Sequence, residues 1–221
     1  MLGLIYDVHG NLPALEAVLA DAPAEFFVLG GDFTLFGAWP AETLELLEGL
    51  DAEWIRGNGE RWSADPGAAP EDPAVQAAIE WVRGELGTQK VGELAQLPAE
   101  LISEGTRFLH GSPVSDVRSF APKAAEDESE LLEGVGEDRL VFGHTHLPFI
   151  RRAGGIELVN PGSVGMPFDG DPRASYALVG EDGAVEHRRV GYDHAASAAA
   201  VRARIGEPGE LFARRIESAT F

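Results

Sequence analysis

The chain has 221 residues, 44% of them hydrophobic, which is enough to bury a sizeable core in a single domain spanning 1–221. Its 37 acidic and 17 basic residues leave a net charge of −20, a field that repels the nucleic-acid backbone and argues against stable nucleic-acid binding. Cysteine is absent, so disulfides and thiolate ligands are excluded, and any metal must be held by nitrogen and oxygen. No apolar run approaches the roughly 18 residues of a membrane span. The start, Met1-Leu2-Gly3-Leu4-Ile5-Tyr6-Asp7, has no basic region of the kind a signal peptide carries. The expectation is a cytoplasmic protein without membrane attachment.

Taken in order, the chain opens with the apolar run Leu2 to Tyr6, a polar turn Asp7-Val8-His9-Gly10-Asn11, and helical spacing from Leu12 to Leu19. Pro13 falls in the first turn of that helix, where its missing N–H costs nothing. The pattern repeats: Phe26 to Leu29 is a strand, Gly30-Gly31-Asp32 its exit, and Pro40 to Leu50 a helix with Leu44, Leu47 and Leu50 on one face. A third round runs from Glu53-Trp54-Ile55-Arg56 into Gly57-Asn58-Gly59-Glu60. Strands alternating with helices predict an α/β sheet, and polar residues at successive strand ends predict a site along one sheet edge.

From Arg61 to Pro98 the character changes to a helical excursion, with a loop at 64–70, a helix over 73–86 and a shorter one over 91–97 closed by Pro98. It is placed to cover the site edge, and its Trp62 and Trp81 read as packing residues. A hairpin over 101–109 ends in His110-Gly111-Ser112-Pro113, and a short helix is expected near 129–133. The strand Leu140-Val141-Phe142 then runs into Gly143-His144-Thr145-His146. With six histidines in the whole chain, two in one turn are a concentration. In an extended turn their rings would point to opposite sides, one toward each of two ions. Short strands at 149–152, 156–159, 175–179 and 184–190 follow, with hairpin turns at Gly154-Gly155 and Asp182-Gly183. A helix over 195–205 ends the expected fold, with the last residues dangling.

The strand-end residues, collected, are Asp7, His9, Asp32, Asn58, His110, His144 and His146. Their blocks Asp7-Val8-His9, Gly31-Asp32, Gly57-Asn58, His110 and Gly143-His144-Thr145-His146 resemble, in order, those of the calcineurin-like metallophosphoesterases. The resemblance runs to about Asp193 and is closest to the small bacterial branch of predicted phosphodiesterases. His110-Gly111-Ser112-Pro113 and Asn160-Pro161-Gly162-Ser163-Val164-Gly165 belong to it as well. It implies a four-layer αββα sandwich and two divalent transition-metal ions, Mn²⁺ first, with Fe or Zn²⁺ as alternatives.

By the family's pattern Asp7, His9, Asp32 and His146 hold one ion, while Asp32, Asn58, His110 and His144 hold the other. Two such ions outweigh the two aspartates and make a locally cationic site, matched to a phosphate and able to turn water into hydroxide. The implied activity is hydrolysis of a small-molecule phosphodiester or phosphoanhydride. A phosphomonoesterase, including a protein Ser/Thr phosphatase, and a non-catalytic metal-binding scaffold of the same fold are the rival readings.

Four positions depart from the family's catalytic branches. Gly59 stands where a histidine general acid is usual, leaving Glu60 or a water as the alternative proton source. Leu35 and Phe36 replace an acid and an arginine of the phosphatases, and Phe168 stands where many branch relatives carry arginine. Asn11 reads as a helix cap first and a substrate phosphate contact second. Asn160 to Ser163 read as a turn supporting the site, and His187 and His194 as ordinary surface residues.

Overall fold

The first strand shows how this sequence makes layers. In the computed structural model, which covers residues 1–221, β1 runs Leu2–Ile5. Ile5 faces an apolar cluster containing Leu15 and Val18 of helix α1 (Leu12–Asp21), while Leu4 and Tyr6 face a second cluster containing Val141 and Val159. Side chains alternate along a strand, so a run that is apolar throughout is buried on both faces. β2 (Phe26–Leu29) divides in the same way, with Phe27 and Leu29 toward the helices and Val28 toward the second sheet.

With β3 (Ala52–Trp54), β9 (Ala174–Val179) and β10 (Val185–Val190), these strands form a five-stranded sheet of order β10-β9-β1-β2-β3. β1, β2 and β3 are parallel, and β9 joins β1 antiparallel. The second sheet has order β4-β5-β6-β8-β7, built from β4 (Glu100–Ser103), β5 (Thr106–Leu109), β6 (Arg139–Val141), β7 (Phe149–Ala153) and β8 (Ile156–Asn160). Tyr6, Ile55, Phe108 and Ala177 are among the residues that fill the space between the sheets. α1 and α2 (Pro40–Glu48) cover the first sheet. Phe120 and the one-turn helix α5 (Glu128–Leu131) cover the second through Leu140, Phe142 and Leu158. This is the expected αββα sandwich.

A further apolar cluster lies beside the sandwich. It joins α4 (Pro73–Ala95), α6 (His194–Ile205) and α7 (Glu210–Ser218) through Ile79, Val82, Val201, Phe212 and Ile216. Leu35, Phe36 and Met166, from loops at the strand ends, complete it. The two expected helices at 73–86 and 91–97 are two segments of α4 that meet at Gly87, whose φ of 75° and ψ of 157° break the helix. The expectation of dangling C-terminal residues is wrong. Phe212, Ala213 and Ile216 lie on the inner face of α7 and are buried, and the i, i+4 spacing of Phe212 and Ile216 was the signal for it. The segment from Asn58 forms a further helix, α3 (Asn58–Ala64). No helix is long and apolar enough to cross a membrane.

Candidate metal centre

Each parallel strand ends in a loop, and neighbouring loops continue the sheet's hydrogen bonding. Beyond β1 and β2 the pairs Asp7 N to Gly31 O (3.1 Å), His9 N to Asp32 O (2.9 Å) and Gly10 N to Phe33 O (2.8 Å) bind the two loops together. That places Asp7, His9 and Asp32 side by side at one sheet edge, and His110, His144 and His146 arrive from the ends of β5 and β6. Asp7, His9, Asp32, His144 and His146 all have φ between 51° and 67°. Non-glycine residues avoid this left-handed region at a cost of about 1–2 kcal/mol each. Five in one site are strain stored where the side chains must converge.

The histidines converge with their protons already assigned. Nδ1 of His9 donates to Leu35 O at 2.9 Å, Nδ1 of His110 to Gly30 O at 2.9 Å, and Nδ1 of His146 to Met166 O at 2.6 Å. A carbonyl only accepts, so each neutral ring carries its proton on Nδ1 and presents a bare Nε2 to the centre. Nε2 of His9 and of His146 stand 3.0 Å apart. Two lone pairs at that distance repel unless a cation lies between them. Asp7 Oδ1 lies 3.4 Å from His146 Nε2 and 4.0 Å from His9 Nε2. Donor atoms that share one ion at about 2.1 Å stand roughly 3–4 Å apart. Nitrogen and carboxylate oxygen donors at this spacing fit a divalent ion.

Two groups of donors meet the spacing: Asp7, His9 and His146, and Asp7, Asp32 and His110. Asp32 reaches both halves, its Oδ2 lying 3.9 Å from His9 Nε2 and its Oδ1 3.6 Å from His110 Nε2. Asp7 is equally central, which the family's pattern, with Asp32 as the sole shared ligand, does not anticipate. Asn58 Oδ1 lies 3.0 Å from His110 Nε2 and 2.9 Å from His144 Nδ1, an oxygen facing nitrogens across a space suited to a cation. With oxygen and nitrogen exchanged, the amide would instead donate to both rings and to Asp116 O at 3.2 Å, which suits a site without an ion. The turn Gly143 to His146 is not extended, since His144 and His146 are both left-handed. Their rings still diverge, His144 toward Asn58 and His146 toward His9, through backbone twist and not through alternation.

Burial dominates the electrostatics. It lowers His9 to about 3, with His146 adding, and His144 to about 4, with His110 adding. Burial, with Glu60 and Asp7, pushes Asp32 up to about 7 against the pull of His110. It works in the same direction on Asp7, but His146, His110 and His9 hold that carboxyl well below the usual carboxylate range. For His110 the two aspartates outweigh burial and raise it. Glycines let the backbone come close: a Cβ on Gly143 would stand 2.4 Å from Asp7 Oδ2, and one on Gly57 2.3 Å from Asp32 Oδ1.

Other expected residues fall elsewhere. Asn11 occupies the cap position of α1 but its side chain makes no cap bond. It is 1% exposed, donates to Gly165 O (2.8 Å) and Tyr192 Oη (3.1 Å) and accepts from Ser197 Oγ (3.0 Å), so it ties three distant segments together and has nothing left for a substrate. Glu60 is not a proton donor to the site. Its carboxylate accepts from the N–H groups of Asp32, Phe33 and Gly57 at 2.8–2.9 Å. His187 is half-buried, its Nε2 2.7 Å from Asn160 O, and is not a plain surface residue. His194 is also half-buried. Asn160 and Ser163 support the site as expected, Asn160 Nδ2 donating to Gly143 O at 3.0 Å and Ser163 Oγ to Asp7 O at 2.7 Å.

The cluster opens into a cavity of about 610 Å³. Trp62, Pro70, Asp72 and Val75 of the excursion line it, together with Phe36, Leu147, Phe168 and the C-terminal Leu211, Arg215 and Phe221. The C-terminal residues are the part of the site that the sequence reading missed.

Comparison with known proteins places the chain in a family. Residues 1–183 match the calcineurin-like phosphoesterase superfamily domain. The chain is 30% identical to an uncharacterized protein of Methanocaldococcus jannaschii, over 87% of this chain and 88% of that protein. It is 30% identical to the phosphodiesterase YfcE of Escherichia coli, over 80% of this chain and 85% of that protein. Among solved structures, a metallophosphoesterase from Sphaerobacter thermophilus superposes with a TM-score of 0.84 at 29% identity, covering 99% of this chain and 98% of that one. A hypothetical protein of Pyrococcus horikoshii shares the fold, with a TM-score of 0.82 at 22% identity over 96% and 98%. The chain belongs to the calcineurin-like phosphoesterase superfamily and is a metal-dependent phosphoesterase.

Proposed function

We propose that this protein hydrolyses a small-molecule phosphodiester or phosphoanhydride with two divalent ions, Mn²⁺ being the first choice and Fe or Zn²⁺ the alternatives. The observation that carries the reading is the set of three imidazoles whose protons are committed to backbone carbonyls, so that their Nε2 lone pairs meet Asp7 and Asp32. Asp7, His9, Asp32 and His146 would hold one ion, and Asp32, Asn58, His110 and His144 the other. Bound there, such ions neutralise phosphoryl oxygens and activate water for attack at phosphorus.

The chain's own residues do the rest. Asp32 is oriented by the Gly59 N–H at 2.6 Å. The backbone at Asp32 and Phe33 is locked in turn by Glu60. Asp7 is steadied by the His144 N–H at 3.1 Å. Phe36, Met166 and Phe168 line the cavity and exclude water from one side, and Trp62 and Val75 of the excursion would cover the other.

No side chain among those lining the cavity is a proton donor at the usual general-acid position, which favours acidic leaving groups over serine or sugar alkoxides. This is the reason to prefer anhydrides and aryl or similarly acidic diesters over phosphoproteins. The net charge of −20 supports a small anionic substrate captured by the ions and not a nucleic-acid partner. The test is metal analysis of the purified protein, joined to a screen of phosphodiesters, anhydrides and phosphomonoesters under Mn²⁺. Substoichiometric metal after reconstitution, or faster turnover of alkyl monoesters, would overturn it.

A further inference from the structure

Arg215 is set apart from every other arginine in the chain. Each of the others bonds a carboxylate or a backbone carbonyl. Arg215 is half-buried in the wall of the cavity, and its Nε is a buried donor with no protein partner. In a chain with 37 acids a guanidinium rarely goes unpaired, and a buried donor left unbonded is costly. Asp72 lines the same cavity and its charge is felt at Arg215, but the two make no ion pair, and Asp72 Oδ1 caps α4 by accepting from Ala74 N and Val75 N.

What Arg215 touches instead is aromatic. Its guanidinium carbon lies 4.1 Å from the ring centre of Phe221 and 5.8 Å from that of Phe168. Phe168 stacks on His146 at 4.4 Å, so one ring separates the guanidinium from the metal centre. Stacking holds a guanidinium by its faces and leaves the N–H edge free to grip a carboxylate or phosphate. Trp62 adds a second buried N–H without a protein partner in the same wall. The cation thus reaches the edge of the metal centre from α7, across the phenyl ring.

We propose that Arg215 binds a second anionic group of the substrate, a phosphate or carboxylate carried beyond the scissile phosphoryl group. The inference rests on the phosphoesterase reading for where the scissile group sits, and it narrows the substrate to a small diester or anhydride with an additional negative charge. The cavity of about 610 Å³ has room for both groups.

The test compares three esters with the same leaving group: 4-nitrophenyl phenyl phosphate, and its analogues bearing a phosphonate or a carboxylate at the para position of the phenyl ring. Metal-loaded wild type should show a KM about tenfold lower for at least one charged analogue, the better one identifying the anion. Arg215→Met should bring that KM ratio close to one with little change in the ratio of kcat values, and Arg215→Lys should keep part of it. Arg214→Met removes an exposed arginine bonded to Glu210 and should keep the wild-type ratio. No preference in wild type would overturn the proposal. So would an equal loss on all three esters in Arg215→Met and Arg215→Lys, which would mean that the residue only holds Phe221 and α7 in place. Should none of the esters turn over, the phosphodiester reading fails by itself. Calorimetric binding of the same esters to wild type and variants then decides Arg215 by the same ratio.

Discussion

Gly59 N donates to Asp32 Oδ1 at 2.6 Å, and a Cβ on Gly59 would stand 2.8 Å from that oxygen and 3.2 Å from its carboxyl carbon. The carboxylate that faces both His9 and His110 is therefore held by backbone too close to admit a side chain. Gly59→Ala should lower metal affinity and kcat/KM by about tenfold or more, since a displaced ligand carboxylate is the cheapest relief of the contact. Gly59→His, which places an imidazole at the usual general-acid position, should show the same loss before any gain. Full metal occupancy in Gly59→His, with faster hydrolysis of alkyl esters, would show that the site accepts the histidine.

Without that histidine, and with Glu60 occupied by three backbone N–H groups, the leaving oxygen has no identified proton donor. A general acid is worth about 10²–10⁴-fold on a poor leaving group and little on a good one. A series of aryl and alkyl phosphodiesters should thus show a steep dependence of kcat/KM on leaving-group pKa. A flat series with chemistry rate-limiting would reveal a donor elsewhere.

Asp7 stands in both donor groups and Asp32 reaches both halves of the site. Asp7→Asn and Asp32→Asn should each lower activity by more than the roughly 10–100-fold that outer partners of a metal site cost, with loss of bound metal by elemental analysis. His187→Ala, which loses the contact with Asn160 O at 2.7 Å, should retain turnover per bound metal. Its stability should fall by about 1 kcal/mol, or about 2–4 °C in Tm. Equal loss of activity at all three positions would show that the centre is not where the donors converge.

Glu60→Gln is nearly isosteric, but it turns one of two engaged acceptor oxygens into a donor. At least one of the N–H groups of Asp32, Phe33 and Gly57 would then face an N–H at the place where a carboxylate oxygen stood. The expected cost is about 2–3 kcal/mol, read from denaturant unfolding of the metal-free protein. An unchanged midpoint would mean that the loops are held by other contacts.

Metal uptake by the metal-free protein should release protons. Asp32 is raised to about 7 and His110 is raised as well, so both hold protons below neutrality, whereas His9 at about 3 and His144 at about 4 are already bare. The sign follows: protons on Asp32 and His110 compete with the ions, so affinity falls as pH drops below about 7, by about tenfold per unit for each proton displaced. Calorimetry of Mn²⁺ binding between about pH 5 and 8 in buffers of different ionisation enthalpy measures both numbers. Affinity that is flat across that range would show that Asp32 binds no proton there.

Much of this protein was legible from local pattern. The strands of the first half, the loops that end them and the seven polar residues of the centre depend on short-range rules: period-two burial, glycine at sharp exits, and a polar residue wherever a parallel strand stops. The family blocks add their order, which a linear sequence records completely. Gly59 also stood out, though as a departure, because the reason for a glycine there is an oxygen of Asp32 that is close only after folding.

Tertiary structure alone decided what each polar residue does with its bonds. Asn11 and Glu60 both looked free to act, yet Asn11 is spent on Gly165, Tyr192 and Ser197, and Glu60 on the loop that carries Asp32. Arg215 gave no sequence signal beyond the amphipathic spacing of α7, because its significance is the lack of a partner in a wall built by Phe168, Phe212 and Phe221. Periodicity tells which face of an element is buried. It does not tell which distant element arrives to cover that face, and at this site the arrival of α7 sets the far wall of the cavity.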